Sequence, residues 1–329
     1  MSQRQRSSSC PDCSSSVDRR QFLATSASVA VAAAALPAIL PSRSAWAAPT
    51  PKSAAENSVR HLYDSLNDEQ KKIVALPLDD QRRRTINANW HITEARIGQF
   101  TADQQAIIKE IVKGCTSEDG YERFLKQMQD DNKGIKNYSI ALFGNPHEEQ
   151  FEFELTGRHL TLRADGNTLG GMAFGGPIVY GHGARGNSDK NLFVYQTKQV
   201  NKVFEMLDPK QREQALLEKA PHESSVQFEK EGRPLPGIGG KELSSDQKDQ
   251  LAASLRAVMQ PYRQEDVDEV MEILESGGGL DSLHLSFYRT GDLDEDQVWD
   301  IWRLESPTVV CHFRGAPHVH AYINIAKRA

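Results

Sequence analysis

The hydrophobic period of this chain switches three times, and the order of those switches constrains the fold more than any single motif. Helical spacing gives way near Tyr138 to short strand-like runs that last to about residue 181. Helices return between about 191 and 276, and strand-like runs close the chain from about 283 to 325. In the first helical region Val59, Leu62, Tyr63 and Leu66 keep a helical spacing. Thr101-x-x-Gln104 is a capping box ahead of Ile107, Ile108, Ile111 and Val112, with Gly114 as stop signal. Tyr121, Phe124, Leu125 and Met128 mark a further helix. In the second helical region Asp208-Pro209 and Ser244-x-x-Gln247 are start signals, and Gly277-Gly278-Gly279 ends the last helix.

The strand regions read in the same way. Ser139 to Phe143 meets a turn at Gly144-Asn145-Pro146, and Phe151, Phe153 and Leu155 then alternate with Glu152, Glu154 and Thr156, the pattern of a half-buried strand. His159 begins the next strand, which runs to Arg163. The glycine-rich stretch from Gly166 to Gly186 lacks the ending and setting of a phosphate cradle, and reads as turns around one short strand near Ile178-Val179-Tyr180. Four more runs follow: Leu283 to Arg289, Val298 to Leu304, Thr308 to Phe313, and His318 to Ile325, with a solvated acidic turn at 291–296. Parallel sheets need strict β-α-β alternation, so segregated helices and hairpin-linked strands predict an α+β fold. Its mainly antiparallel sheet is built from regions 138–181 and 283–325, with helices packed around. The two regions echo each other as a pseudo-symmetric sheet would, too degenerately to count as a sequence repeat.

Residues 1–47 carry an address. Asp18-Arg19-Arg20-Gln21-Phe22-Leu23 opens an Ala/Val-rich segment that ends at Ala45-Trp46-Ala47. A basic region, a modest apolar core and a small-x-small site make a signal peptide, and paired arginines before Phe-Leu select the twin-arginine route. The expected partners are therefore the twin-arginine translocase and signal peptidase, and the expected location is the periplasm or the exterior. That route carries folded chains, which suits proteins loaded with a metal or cofactor before export. An uncleaved anchor over 24–40 is the poorer reading, because a span needs about 20 apolar residues and this stretch contains Pro37 and is followed by Arg43. Residues 48–56 read as a tether and 57–329 as a single domain.

Of the 39 basic and 45 acidic side chains, five and two fall in residues 1–47, leaving the remainder at a formal net charge of −9. Such a surface repels phosphate backbones, and no basic stripe interleaves with aromatics, so nucleic acid is excluded as a partner. After residue 47 no apolar run is long enough to span a membrane, and the mature chain is expected to be soluble. Cys10 and Cys13 precede the twin arginines and leave with the leader; Cys115 and Cys311 remain, free to pair only if the fold brings them together.

All ten histidines follow residue 47, three of them near the C-terminus. His318 and His320 are two apart on a strand and share a face, a simple way to chelate one metal. His312 joins that face directly across from His318 if residues 313–317 form a five-residue loop. His159 is the fourth candidate. The plain alternative is strand histidines satisfied by hydrogen bonds. Arg303, ahead of Leu304-Glu305-Ser306-Pro307, is a candidate substrate anchor holding a carboxylate by a fork, or else an ordinary ion-pair partner of Glu305. No Gly-x-Ser-x-Gly and no His-Glu-x-x-His occurs, which removes support for common serine hydrolases and zinc proteases.

A succession of motifs resembles the uncharacterised bacterial family known as domain of unknown function 3500. It runs through Asn89-Trp90-His91, Arg96-Ile97-Gly98, the Gln104 helix, Gly120-Tyr121 and Phe143-Gly144-Asn145-Pro146. It continues with Leu155-Thr156-Gly157-Arg158-His159-Leu160, Trp302-Arg303-Leu304-Glu305-Ser306-Pro307 and Pro317-His318-Val319-His320. The resemblance implies an exported α+β domain with no assigned reaction, in which His159, Arg303, His318 and His320 hold recurrent polar positions. Arg158 stands where the family tends to have a histidine and His312 where an acid is usual, and the family continues into a Pro-Asn-Gly-containing tail. The function expected on these grounds is a metal-dependent extracytoplasmic enzyme with one transition metal (zinc, iron or copper) on His159, His318 and His320, with or without His312. The alternative is a non-catalytic binding protein for a small ligand or metal.

Overall fold

Eleven strands form one sheet whose order reads alike from either end. The computed structural model of the chain describes residues 48–228 and 233–327. The segment read as an export signal, with Cys10 and Cys13, lies outside the described residues. The first half contains α1 (Ala54–Ser65), α2 (Asp68–Val74), β1 (Ala75–Leu76), α3 (Ala102–Gly114), α4 (Glu118–Asn132), β2 (Ser139–Gly144), β3 (Phe151–Gly157), β4 (Leu160–Ala164) and β5 (Ile178–Arg185). The second contains α5 (Val194–Met206), α6 (Pro209–Ala215), β6 (Leu216–Leu217), β7 (Ile238–Gly239), α7 (Ser245–Met259), α8 (Gln264–Ser276), β8 (His284–Tyr288), β9 (Ile301–Glu305), β10 (Val309–Arg314) and β11 (His318–Ile325). The sheet order is β1-β2-β3-β4-β5-β11-β10-β9-β8-β6, with β7 also on β8. The outer pairs β1–β2 and β6–β8 are parallel; β7–β8 and all the others are antiparallel. The α+β expectation with a mainly antiparallel sheet holds.

The two halves repeat the same local devices. Gln70 and Gln211 close capping boxes at the starts of α2 and α6, and Gln104 and Gln247 do so at α3 and α7. Gln70 and Gln104 also bond side chain to side chain, as do Gln211 and Gln247. Gln104 Nε2 donates to Ser65 O at 2.8 Å, and Gln247 Nε2 donates to Met206 O at 2.8 Å. These buried amides thus fasten the end of one helix to the start of another in both halves.

One face of the sheet is apolar and packs on the helices. Phe151, Phe153, Leu155, Leu160, Leu162, Tyr180, Phe287, Trp302, Leu304, Phe313, Val319 and Ile323 belong to the main core together with residues of α1, α3, α4, α5, α7 and α8. The other face carries the alternate residues and is covered by two straps, residues 77–96 after β1 and, after β6, residues 218–228 with 233–237. In the first strap Ile92 N donates to Thr156 Oγ1, Trp90 Nε1 to Thr161 Oγ1, and Arg83 pairs with Glu152. The straps overturn the half-buried reading of β3, since Glu152 and Glu154 are fully buried. Their charges meet Arg163, which reaches both carboxylates.

Other boundaries differ from expectation. α1 begins at Ala54, inside the stretch read as a tether, and Ala55 and Glu56 are buried. The second helical region is interrupted by β6, β7 and the second strap, and β5 is eight residues long. β9 starts at Ile301, three residues later than its apolar pattern suggested. Cys115 and Cys311 are both buried and both free, so no disulfide joins them.

Candidate metal centre

The centre lies where β5 and β11 extend beyond the reach of β4. Leu160 at the start of β4 pairs with Tyr180, and Tyr180 in turn with Ala321. The next position outward therefore holds His159, Gly181 and His320 side by side. His159 is not the first residue of a strand. It sits with Arg158 in the tight turn between β3 and β4, in the left-handed conformation at φ 60°, a backbone state that non-glycine residues adopt rarely and at a cost. His159 N is held there by Ala88 O at 2.6 Å. His318 and His320 project from alternate residues of β11 onto the same face.

The two glycines around His182 make room for this arrangement. Gly181 pairs with His320 in the ladder, and a Cβ there would meet Val319 O at 2.2 Å and His320 Cδ2 at 3.1 Å. A Cβ on Gly183 would lie 2.6 Å from Asp131 Oδ1 and 3.5 Å from His159 Cε1.

The three rings crowd together. Centroids of His159 and His318 are 5.0 Å apart, of His159 and His320 4.8 Å, and of His318 and His320 4.7 Å. One ligand nitrogen from each lies within 4.8 Å of the other two. Imidazole–metal bonds of about 2.0–2.1 Å at tetrahedral angles would separate two nitrogens by about 3.3 Å, and Nε2 of His318 and His320 stand 3.0 Å apart.

Carboxylates fix which nitrogen faces inward. Asp131 Oδ2 accepts from His159 Nδ1 at 2.7 Å, and Glu223 Oε2 from His320 Nδ1 at 3.2 Å. With the proton on Nδ1, each neutral ring keeps its Nε2 lone pair for the interior, the second-shell pattern of a metal-binding histidine. Arg314 Nη2 approaches His318 Nε2 at 3.3 Å as a donor, which assigns a lone pair to that nitrogen as well. His318 Nε2 also stands within hydrogen-bond distance of His320 Nε2, and either a shared proton or a bound cation would satisfy this crowded group of nitrogens.

Electrostatics favours the neutral form of His318 and His320. Burial, then the neighbouring His320 and Arg314, lowers His318 to about 4, and burial also lowers His320 against the opposing pull of Glu223. Burial would raise Glu223, but its bond and attraction to His320, with Arg314 and Tyr322 beside it, hold it at about 2. Burial pushes Asp131 up as well, and its hydrogen bonds from His159, Gln127 and Gly183 N prevail to leave it lowered. Neutral imidazoles backed by ionised carboxylates are the donor set a divalent transition metal takes. His159 and His320 are buried and His318 is half-buried, so the centre is reached from the His318 side. A cavity of about 710 Å³ lined by Asp131, Arg158, His182 and Gly183 adjoins it.

His312 and Arg303 stand elsewhere on the same face. The last β10–β11 pair is Arg314 with His320, so residues 315–319 form the connection in place of 313–317, and His312 pairs with Tyr322 in place of His318. His312 shares the sheet face but lies beside Tyr288, with ring centroids 6.5 Å apart. Burial, then Arg303, lowers it to about 3. Arg303 pairs with His312 across β9 and β10 and forms an ion pair with Glu305 at 2.8 Å. Asp131, Glu223, Arg314, Gly181 and Gly183 were not singled out from the sequence. The two glycines flanking His182 inside a strand were the available signal. For Glu223, 97 residues from His320, there was none.

Fold and centre together define an α+β protein with three convergent histidines able to hold a metal ion. The chain belongs to the family described as "Protein of unknown function (DUF3500)", which it matches over residues 49–325. No curated protein and no solved structure matches it. No helix among the described residues is long and apolar enough to cross a membrane.

Proposed function

We propose that residues 1–47 export the chain by the twin-arginine route and that the mature protein is a metal-dependent extracytoplasmic enzyme. Its ion is a single transition metal held by His159, His318 and His320. The observation that carries this reading is the convergence of three imidazoles, each with a ring nitrogen within 4.8 Å of the others, two of the rings oriented by Asp131 and Glu223 through Nδ1. Three protein ligands leave a further position for water or substrate, which separates a catalytic site from a closed structural one. Bound there, a metal supplies Lewis acidity and an activated water, or redox chemistry if the ion is iron or copper. The chain's own groups bind and orient: Arg314 secures Glu223, Glu223 secures His320, and Asp131 secures His159.

The test is metal content of the protein purified after native export. About one equivalent of zinc, iron or copper is expected, and His318→Ala/His320→Ala should lose it while keeping the native circular dichroism. Folded wild-type protein without transition metal, or a double variant that keeps it, would overturn the reading. Turnover that a chelator abolishes distinguishes an enzyme from a protein that merely carries the ion. Arg19→Lys/Arg20→Lys should leave the precursor in the cytoplasm.

A further inference from the structure

A second cavity, of about 690 Å³, opens between the strap that follows β6 and the β8–β9 end of the sheet. Tyr288, Arg303 and Glu305 line it from the sheet, Pro221 and Phe228 from the strap, and Lys219 from its exposed rim. Arg303 is only 5% exposed. Its Nη2 donates to Ser225 O at 2.7 Å and its Nε lies 2.8 Å from Glu305 Oε1, while the buried Nη1 meets no acceptor. A buried guanidinium nitrogen holds its hydrogens out of water only at a cost unless an acceptor meets them. Arg303 is balanced by Glu305, and the other charged side chains of the lining are Lys219 and Arg233, both basic. The buried arginine of the other half, Arg163, faces two carboxylates, Glu152 and Glu154. Arg303 faces one and a cavity.

We propose that this cavity is a second ligand site, separate from the histidine centre, for a small organic carboxylate with an apolar body. The carboxylate sits against the guanidinium of Arg303, whose planar fork suits it, with Lys219 at the mouth. The apolar body lies against Tyr288, Phe228 and Pro221. An inorganic oxyanion would satisfy the arginine but leave those walls uncovered, and a neutral isostere would leave the charge unmatched.

Calorimetric titration of the whole exported protein tests this with benzoate, benzamide and inorganic phosphate as probes. Saturable one-to-one binding of benzoate is expected, with benzamide and phosphate each about ten-fold weaker or more. Arg303→Gln should weaken benzoate roughly ten- to hundred-fold, as loss of a charge-assisted bond does, and Lys219→Gln a few-fold. His318→Ala/His320→Ala should bind benzoate as the wild type does, so this site stands even if the metal reading falls. Should Arg303→Gln not fold, Arg303→Lys and Lys219→Gln decide, each expected to bind more weakly. The proposal is overturned by absence of saturable benzoate binding, by benzamide or phosphate binding equally well, by unchanged affinity in both the Arg303 and Lys219 variants, or by loss of binding in the histidine double variant.

Discussion

The two halves of the sheet share one plan and use their strapped faces differently. In β2–β5 the polar face is closed: Glu152, Glu154, Arg163 and Arg83 neutralise one another under the strap, and Arg163 also bonds Pro177 O and Arg83 O. In β8–β11 the same face carries Arg303, His312, Arg314, His318 and His320, and the strap covers them while leaving a cavity. The repeated scaffold is supplied by caps and apolar alternation, and chemistry is added where one half departs from the other. His159 is the single ligand from the first half, and it joins the centre because β4 stops short of the β5–β11 extension.

The sharpest test of that contrast is stability. Arg163→Ala leaves two buried carboxylates without their cation and should cost about 3–5 kcal/mol, whereas Arg303→Ala, with one carboxylate to strand, should cost about 1–3 kcal/mol. Urea midpoints measure both, and equal costs would mean that the second half is locked as tightly as the first. Next comes the centre that the halves share. Glu223→Gln and Asp131→Asn should each weaken metal binding about 10–100-fold by releasing a ligand imidazole, measured by competition with a chromophoric chelator. An unchanged affinity would mean that neither carboxylate orients a ligand.

A pH titration probes the acids packed between the halves. Burial, opposed by Arg263, raises Asp266 to about 7. Burial, with Asp266 and Asp165 nearby, raises Glu269 to about 8, and burial raises Asp165 to about 6. Groups with raised folded pKa values bind protons more tightly in the native state, so their stabilisation is present near pH 4 and is lost as pH rises toward 8. Glu223 and Asp131 are shifted the other way, and their contribution is lost only as pH falls below their unfolded values. Urea midpoints should therefore decline from pH 5 to pH 8.5, and Asp266→Asn should flatten the decline; a flat wild-type profile would contradict the assigned shifts. The smallest effect tests the likeness itself. Gln104→Ala and Gln247→Ala should each cost about 1–2 kcal/mol and agree within about 0.5 kcal/mol, since each removes a cap and a tie to a helix end. A clear inequality would show that the halves are fastened differently.

Much of the scaffold was legible because its signals are local. The Thr101 and Ser244 boxes, the Asp208-Pro209 start and the Gly277 stop depend on neighbours within four residues, and each falls where the helices begin or end. His318 and His320 shared a face by strand period alone. The burial of Glu152 and Glu154 was not legible, because alternation records which residues share a face and not whether a strap later covers it. The position of His312 turned on where the β10–β11 connection falls, at residues 315–319 in place of 313–317. Asp131 and Glu223 could not be found, since nothing in a helix or strap announces the ring it will meet.

The amino-acid order by itself determined the α+β class, the capped helix starts at Thr101, Asp208 and Ser244 and the shared face of His318 and His320, because these follow from backbone period and capping over a few residues. Only the tertiary structure decided that His159 meets them, that Asp131 and Glu223 stand behind them, and that Arg303 opens into a cavity of its own. Those contacts join residues that are 28 to 161 positions apart, and their geometry is set by where β4 ends and how two straps lie, which no short-range pattern encodes.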